Sequence, residues 1–392
     1  MKEDVKRILE KLNSDTGGEG ISLKAEEIAS LLALEDFTPV YRAADKLRRD
    51  NVGDTVHLRA IIEFSNICRR RCRYCGLNRE NRALERFRMT SEEIVSTAKE
   101  AVAAGYRTIV LQSGEDDWFN AARLGDIISE IKKLKLPQTA TVKAVKKAGS
   151  DGSEHPAVVS DVDGVLPDSK NEWMEHPAVT VSCGEMSRED YAYLRKAGAD
   201  RYLLKHETAD AELYDRLHPC GALAARIDCL KTIHELGYDT GSGFMVGLPG
   251  QTLQTIAEDL LLLKAIPCQM AGIGPFISNP RTDLAGEKNG EPELTRRAVA
   301  MARLLLPKAN LPVTTALSIL SREEDNKTGT REIAEGVENP FAFGANVVMK
   351  KVTPDKYKAA YEIYPAAFEK TEILKNRQEL EAAIRSYGRV PL

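Results

Sequence analysis

The chain has 392 residues, 43% of them hydrophobic and 29% charged, enough apolar material for one large core or two ordinary ones, which excludes disorder as the default. Lys and Arg number 55 against 59 Asp and Glu, a net charge of -4 at pH 7, and that balance argues against a protein whose main task is gripping nucleic acid or anionic lipid. The run Leu260-Leu261-Leu262-Leu263 is closed off by Asp259 and Lys264, far short of the roughly 20 residues that span a bilayer, and residues 1–7 lack a signal peptide's apolar core, so the expectation is a cytoplasmic protein with no membrane contact.

Residues 1–50 read as a helical extension: Val5, Ile8, Leu9 and Leu12 recur at helical spacing, and 25–34 and 40–49 do likewise. From 51 to 365 the pattern changes to short apolar runs alternating with amphipathic stretches. Strands are expected at 58–63, 108–112, 180–183, 201–204, 240–246, 271–275, 313–316 and 345–349. Thr90 and Glu93 have the spacing of a capping box ahead of Ile94, Ala98 and Val102, and Gly105, Gly198 and Gly237 each punctuate a helix before a strand. Eight such units favour an α/β fold, a closed (βα)8 TIM-type barrel, with its active site at the carboxyl ends of the strands. Residues 366–392 read as a C-terminal helical tail. The stretch 141–177 breaks the cadence; it is charged, rich in Gly, Ser, Asp and Pro, and repeats Glu-His-Pro-Ala-Val at 154–158 and 175–179. It reads as an insertion that partly duplicates its own sequence, with His155 and His176 as a candidate metal pair.

Seven cysteines, an odd number, fit badly with a disulfide framework. Three fall within eight positions, Cys68, Cys72 and Cys75, in a loop that also carries Arg69, Arg70, Arg71 and Arg73 and so does not read as core. Spacings of three and two residues let thiolates converge on one small inorganic centre. A 4Fe-4S cube needs four ligands, so three cysteines leave one iron open. A structural zinc would want a fourth Cys or His nearby, and none follows within the loop. The arginines would stabilise a cluster with anionic thiolates and sulfides.

Cys-x3-Cys-x2-Cys with Tyr74 before the last cysteine is the signature of the radical S-adenosylmethionine (SAM) superfamily, and the chain is identified as a member. Blocks at 59–66, 108–116, 199–208, 245–252, 272–277 and 344–349 resemble HydE-type maturases of FeFe-hydrogenase and their relatives near biotin synthase and methylornithine synthase, over about 50–365. The resemblance implies a 4Fe-4S cluster on Cys68, Cys72 and Cys75, its open iron chelated by SAM, which an electron cleaves to a 5'-deoxyadenosyl radical. It implies that Tyr74 offers its backbone to the adenine, that Gln112, Ser113, Gly114 and Glu115 bind the SAM amino group, and that Glu185 holds the ribose or methionyl amine. Lys205 stands where such families often have Arg for the SAM carboxylate; Met245 walls the adenosyl pocket. Thr314, Thr315 and Ala316 resemble anion-binding positions for a substrate carboxylate, closed off by Met349.

The implied partners are a small carboxylate-bearing substrate, a low-potential electron donor such as ferredoxin or flavodoxin, and other hydrogenase maturases. No cysteine follows Cys268, so the second C-terminal cluster of some HydE proteins is not expected, and 318–339 is more charged than the family pattern. The leading reading is maturation of the hydrogenase H-cluster on a cysteine-derived iron precursor. The alternatives are a HydE-like enzyme on another amino acid, such as a methylornithine synthase-like mutase, or an iron-sulfur carrier that leaves SAM intact.

Overall fold

A computed structural model describes residues 20–137, 175–328 and 339–392. The helix expected at 5–12 lies outside them. The next two are α1 (Ala25–Leu32) and α2 (Thr38–Val52). α1 buries Ile28, Leu31 and Leu32, the stripe its periodicity demands, and Pro39 lies in the first turn of α2, where a missing N–H costs nothing.

The elements that follow are β1 (Thr55–Ser65), α3 (Ser91–Ala103), β2 (Thr108–Ser113), α4 (Ala121–Lys132), β3 (Ala178–Ser182), α5 (Arg188–Lys196), β4 (Arg201–Leu203), α6 (Ala211–Leu217) and α7 (Leu223–Glu235). Then come β5 (Asp239–Ser242), β6 (Met245–Val246), α8 (Leu253–Ala265), β7 (Met270–Ala271), β8 (Gly274–Pro275), α9 (Pro292–Leu305), β9 (Pro312–Val313) and α10 (Thr315–Thr328). The chain closes with β10 (Val347–Lys351), α11 (Asp355–Lys358), α12 (Ile373–Ser386) and β11 (Val390–Pro391). Eight parallel strands lie in the order β7-β5-β4-β3-β2-β1-β10-β9. A parallel bridge between Met270 and Asn310, with Asn310 N donating to Gln269 O at 2.8 Å, brings β7 back to the approach of β9 and closes the ring. The expected (βα)8 barrel is the architecture found.

Local chemistry accounts for much of this punctuation. Thr90 Oγ1 accepts from Glu93 N at 3.2 Å while Glu93 Oε2 accepts from Thr90 N at 2.8 Å, the anticipated capping box. Gly105, Gly198 and Gly237 sit at positive φ where helices stop.

Three strand expectations need correction. The stretch 240–246 is β5 and β6, and 271–275 is β7 and β8; β6 and β8 leave the ring and pair with each other. They part where Gly243 lies against Gly272, so close that a Cβ on Gly243 would be 2.1 Å from Gly272 O. The stretch 313–316 is a strand only to Val313. Thr314 Oγ1 then accepts from Leu317 N at 3.3 Å and starts α10, a local cap that overrides the β propensity of two threonines. The tail is helical in α12 but ends as β11, because β10 reaches β1 only from His57, and Val390 and Pro391 pair with the free backbone of Thr55 and Val56.

Residues 138–174, with His155, lie outside the described residues. The flanks of this stretch meet, Leu136 N donating to Glu175 O at 2.9 Å, and His176 Nδ1 donates to the Leu134 carbonyl at 3.0 Å.

Alternation along β1 sends Val56, Leu58, Ala60, Ile62 and Phe64 into the helix-facing core and His57, Arg59, Ile61 and Glu63 into the barrel. Arg59 Nη1 reaches Met270 Sδ across the ring at 2.9 Å, and Lys351 Nζ lies 2.7 Å from Glu63 Oε1. The lumen is therefore polar, unlike the packed Val/Ile/Leu layers that fill most such barrels.

Candidate active site

The loop after β1 is tied down from all sides. Arg69 N donates to Glu115 O, Arg73 N to Leu217 O and Gly76 N to Ile363 O, at 2.9, 3.0 and 2.9 Å. Arg86 serves as an internal staple, its two terminal nitrogens reaching the carbonyls of Asn66, Leu77, Asn78 and Asn81 at 2.6, 2.9, 2.6 and 3.2 Å. Loop shape is thus set by contacts from several barrel segments, the preorganisation a multi-ligand site needs. Gly114, at the end of β2, fits only without a side chain: a Cβ would lie 2.3 Å from Ile67 O and 2.7 Å from Cys68 Cβ. The next amide, Glu115 N, points at Cys68 Sγ from 3.4 Å.

Cys68, Cys72 and Cys75 are free thiols. Burial pushes all three up; Cys72 is raised to about 12, with the neighbouring Cys68 adding to burial. Three thiolates in this dry loop require a cationic centre, which a cluster's irons supply. The loop offers three sulfur donors, Cys68, Cys72 and Cys75, one fewer than the four protein ligands of a structural zinc site. The donor set fits a multi-iron cluster.

Beside the thiols lies a network of buried charge. Arg70 Nε is 2.5 Å from Glu115 Oε2 and its Nη2 2.7 Å from Glu185 Oε2; Arg69 Nε shares Glu115 Oε2 at 3.1 Å. From α7, Arg226 Nε meets Glu185 Oε1 at 2.7 Å and Nη1 donates to Lys205 O at 3.2 Å. Glu115 and Glu185, named from sequence, are brought together here with Lys205. Arg226 was invisible to sequence reasoning, since its role comes from the packing of α7 against the loop after β3.

Tyr74 donates its phenol to His218 Nε2 at 2.9 Å, because His218 Nδ1 faces the Tyr214 carbonyl at 3.0 Å and must be the donor there. Burial holds His218 down, at about 4, so the ring is neutral and can accept. Tyr74 also packs with Met245, Leu213, Leu217, Leu248 and Phe276. Met245 therefore stands in a wall beside the cysteine loop.

A second residue missed from sequence is Glu207. It holds φ at +66°, unusual for a side chain of this size, with its N–H on Gly243 O at 3.0 Å and its carbonyl accepting from Met245 N at 3.2 Å. Lys205 Nζ lies 3.5 Å from its Oε2, an atom that is buried and has no hydrogen-bond partner. A buried carboxylate oxygen left open is a fitting acceptor for a ligand's hydroxyl or ammonium. The signal available was its place within His-Glu-Thr just past β4, but only the backbone shows the turn.

The remaining residues divide. Gln112 faces the lumen and donates to Tyr361 OH at 3.3 Å, and Ser113 Oγ donates to Gly114 O at 2.7 Å. Thr314, Thr315 and Ala316 form the start of α10 directly after β9, two ring strands from β1, with Ala316 packed with Ile277 and Leu320. Met349 pairs in register with Arg59, four residues below Glu63 and about 13 Å deeper along the strand, so it lines the barrel's depth and is not at the cysteine loop.

The sequence profile described as the Radical SAM superfamily matches residues 62–263. The chain is 44% identical over 326 residues to the FeFe-hydrogenase maturase subunit HydE of Thermotoga maritima, covering 83% of this chain and 78% of that one. It is 24% identical to a 3-methylornithine synthase of Methanosarcina acetivorans, over 90% of this chain and 85% of that. Among solved structures, methylornithine synthase (PylB) superposes with a TM-score of 0.71 at 21% identity, covering 99% of this chain and 97% of that one. The maturase HydG from Carboxydothermus hydrogenoformans gives 0.72 at 19% identity, over 100% of this chain and 79% of that one. These two likenesses speak for the fold alone. The chain belongs to the radical SAM superfamily, enzymes that use a 4Fe-4S cluster and S-adenosylmethionine, and within it to the family of the FeFe-hydrogenase maturase subunit HydE.

Proposed function

We propose that this enzyme performs a step in building the H-cluster of an FeFe-hydrogenase, acting on a small cysteine-derived iron precursor that carries a carboxylate. The observation that carries the reading is the preorganised Cys68, Cys72, Cys75 loop at the carboxyl end of β1, in a chain 44% identical to a HydE. When bound, the cluster and SAM supply a 5'-deoxyadenosyl radical.

The protein's part is to bind, orient and keep water out. Cys68, Cys72 and Cys75 would hold three irons, and the Gly114-Glu115 turn would present its backbone beside them. Lys205 supplies a cation for the SAM carboxylate, as a point charge without arginine's fork. Glu207 Oε2, with Lys205 Nζ 3.5 Å away, and Glu185 Oε1, with Arg226 Nε 2.7 Å away, are both buried without a hydrogen-bond partner, so both carboxylates are acceptors for cofactor hydroxyls or ammonium. Tyr74 and Met245 wall the adenosyl group, while Gln112 and Ser113 line the mouth above it. After β9, the first amides of α10 at Thr315 and Ala316, with the Thr314 hydroxyl, favour a carboxylate through the helix dipole. Met349 would close the deep end. A low-potential carrier such as ferredoxin or flavodoxin would supply the electron, and other maturases would supply and take the product.

Anaerobic reconstitution with iron and sulfide, followed by dithionite and SAM, should yield 5'-deoxyadenosine, more of it when the hydrogenase-precursor complex is added. Cys68→Ala, Cys72→Ala and Cys75→Ala should each reduce product to background with loss of bound iron. Turnover that is indifferent to the precursor complex would reject the substrate assignment.

A further inference from the structure

We propose that the outer face of the cysteine loop, formed by Arg71, Arg73, Arg79 and Arg82, is the docking surface for a small acidic one-electron carrier protein. This deepens the reading above and rests on its assignment of Cys68, Cys72 and Cys75 as cluster ligands. Residues 68–88 hold eight arginines against two glutamates, a charge of +6, leaving -10 for the remainder of a chain whose total is -4. The most basic segment of an acidic protein is thus the one that carries the ligands.

Half of those arginines have structural work. Arg69 and Arg70 pair with Glu115, Arg86 holds four loop carbonyls, and Arg88 pairs with Asp116 at 2.8 Å. The other four do not. Arg79 and Arg82 are exposed and make no ion pair among the described residues. Arg71 and Arg73 are tethered only to exposed groups, Glu80 at 3.2 Å and Asp283 at 3.5 Å, while Arg71 Nε also donates to Cys220 Sγ at 3.0 Å. The loop doubles back so that Arg79 N donates to Arg70 O at 2.9 Å, which sets 79–82 beside 70–73 as one patch.

Position gives the patch its meaning. Cys72 lies between Arg71 and Arg73, so a protein seated on these side chains is one residue from a ligand sulfur. An acidic carrier would be repelled by the rest of the surface and steered here, which raises association rates without requiring tight binding. The step is a single electron passing from reduced carrier to cluster, with no bond made or broken at the surface.

The test uses the full chain, reconstituted and kept anaerobic, with stopped-flow bleaching of the cluster by reduced flavodoxin. Arg79→Glu with Arg82→Glu should lower the second-order rate constant about tenfold at low salt, with the difference vanishing near 1 M salt, where the Debye length is about 3 Å. Arg79→Lys with Arg82→Lys should retain the rate, and reduced methyl viologen, a cation, should not be slowed by the charge reversal. Unchanged iron content and melting temperature establish that the variants are folded. Equal flavodoxin rates for the parent and the charge-reversed protein overturn the docking proposal alone. A protein that assembles no reducible cluster overturns the cofactor reading beneath it.

Discussion

The two halves of the barrel mouth are held by different forces. From β1 to β4 the loops are locked by buried charge, with Arg70 between Glu115 and Glu185 and Arg226 on Glu185. From β6 to α10 the wall is apolar, with Leu248 and Phe276 packed on Met245 and Ile277, Ala316 and Leu320 packed on Tyr364, relieved by the hydroxyl of Thr314. The first half presents fixed directional groups to a cofactor of constant shape. The second presents surface that can change with the substrate while the backbone stays in place.

If this division is right, damage to the first half should be severe and all-or-none. Gly114→Ala places a methyl 2.3 Å from Ile67 O and 2.7 Å from Cys68 Cβ, contacts that only backbone movement relieves. Iron content after reconstitution should fall more than tenfold, a loss of at least about 1.4 kcal/mol in cluster binding, with secondary structure by circular dichroism retained. A variant that loads normally would show the cysteine loop to be more pliant than these contacts allow. Next in size is Arg70→Met, which leaves two buried carboxylates with one partner each. Breaking such a pair costs about 3 kcal/mol. The urea midpoint should drop accordingly, with the slope of the transition unchanged.

The same division explains what could be read from sequence. Cys68, Cys72 and Cys75 declare themselves because their chemistry is local, three ligands within eight residues. β1, β2 and β3 show as apolar runs because a parallel strand is covered by helices on its outer face; β5, Asp-Thr-Gly-Ser, has no such run, and β7 and β9, two residues each, meet their expected ranges at one residue. The breaks after β5 and β7 follow from two glycines meeting across strands, a contact that alternation along one strand does not encode. Tyr74 and His218 are 144 residues apart and Arg70 and Glu185 115, so their partnerships exist only once the barrel closes. Glu207 was passed over in favour of Lys205 because a positive φ at a glutamate has no compositional sign.

Glu207 gives a prediction of intermediate size. Glu207→Gln keeps the shape but loses the charge, and one charged hydrogen bond to SAM is worth about 1.5 kcal/mol, so the cofactor's Kd on cluster-loaded protein should rise roughly tenfold by calorimetry. Affinity for the substrate should not change. An unaltered Kd would mean that the open Oε2 faces something other than the cofactor.

The smallest effect belongs to the second half, and it is the one that tests the comparison most directly. A Cβ on Gly274 would lie 2.9 Å from Thr314 Oγ1 and 3.5 Å from its Cβ, so Gly274→Ala obliges the threonine to turn and weakens its hold on Leu317 N at the start of α10. Losing such a cap costs about 1 kcal/mol, a factor of about five. Since Thr314 is a side chain that can rotate, in contrast to the backbone that Gly114 abuts, the cluster and the cofactor's Kd should be untouched while the KM for the precursor rises by that factor. A fall in iron content or SAM affinity instead would show that the two halves are mechanically coupled through the β6–β8 pair, and that the division drawn here is too sharp.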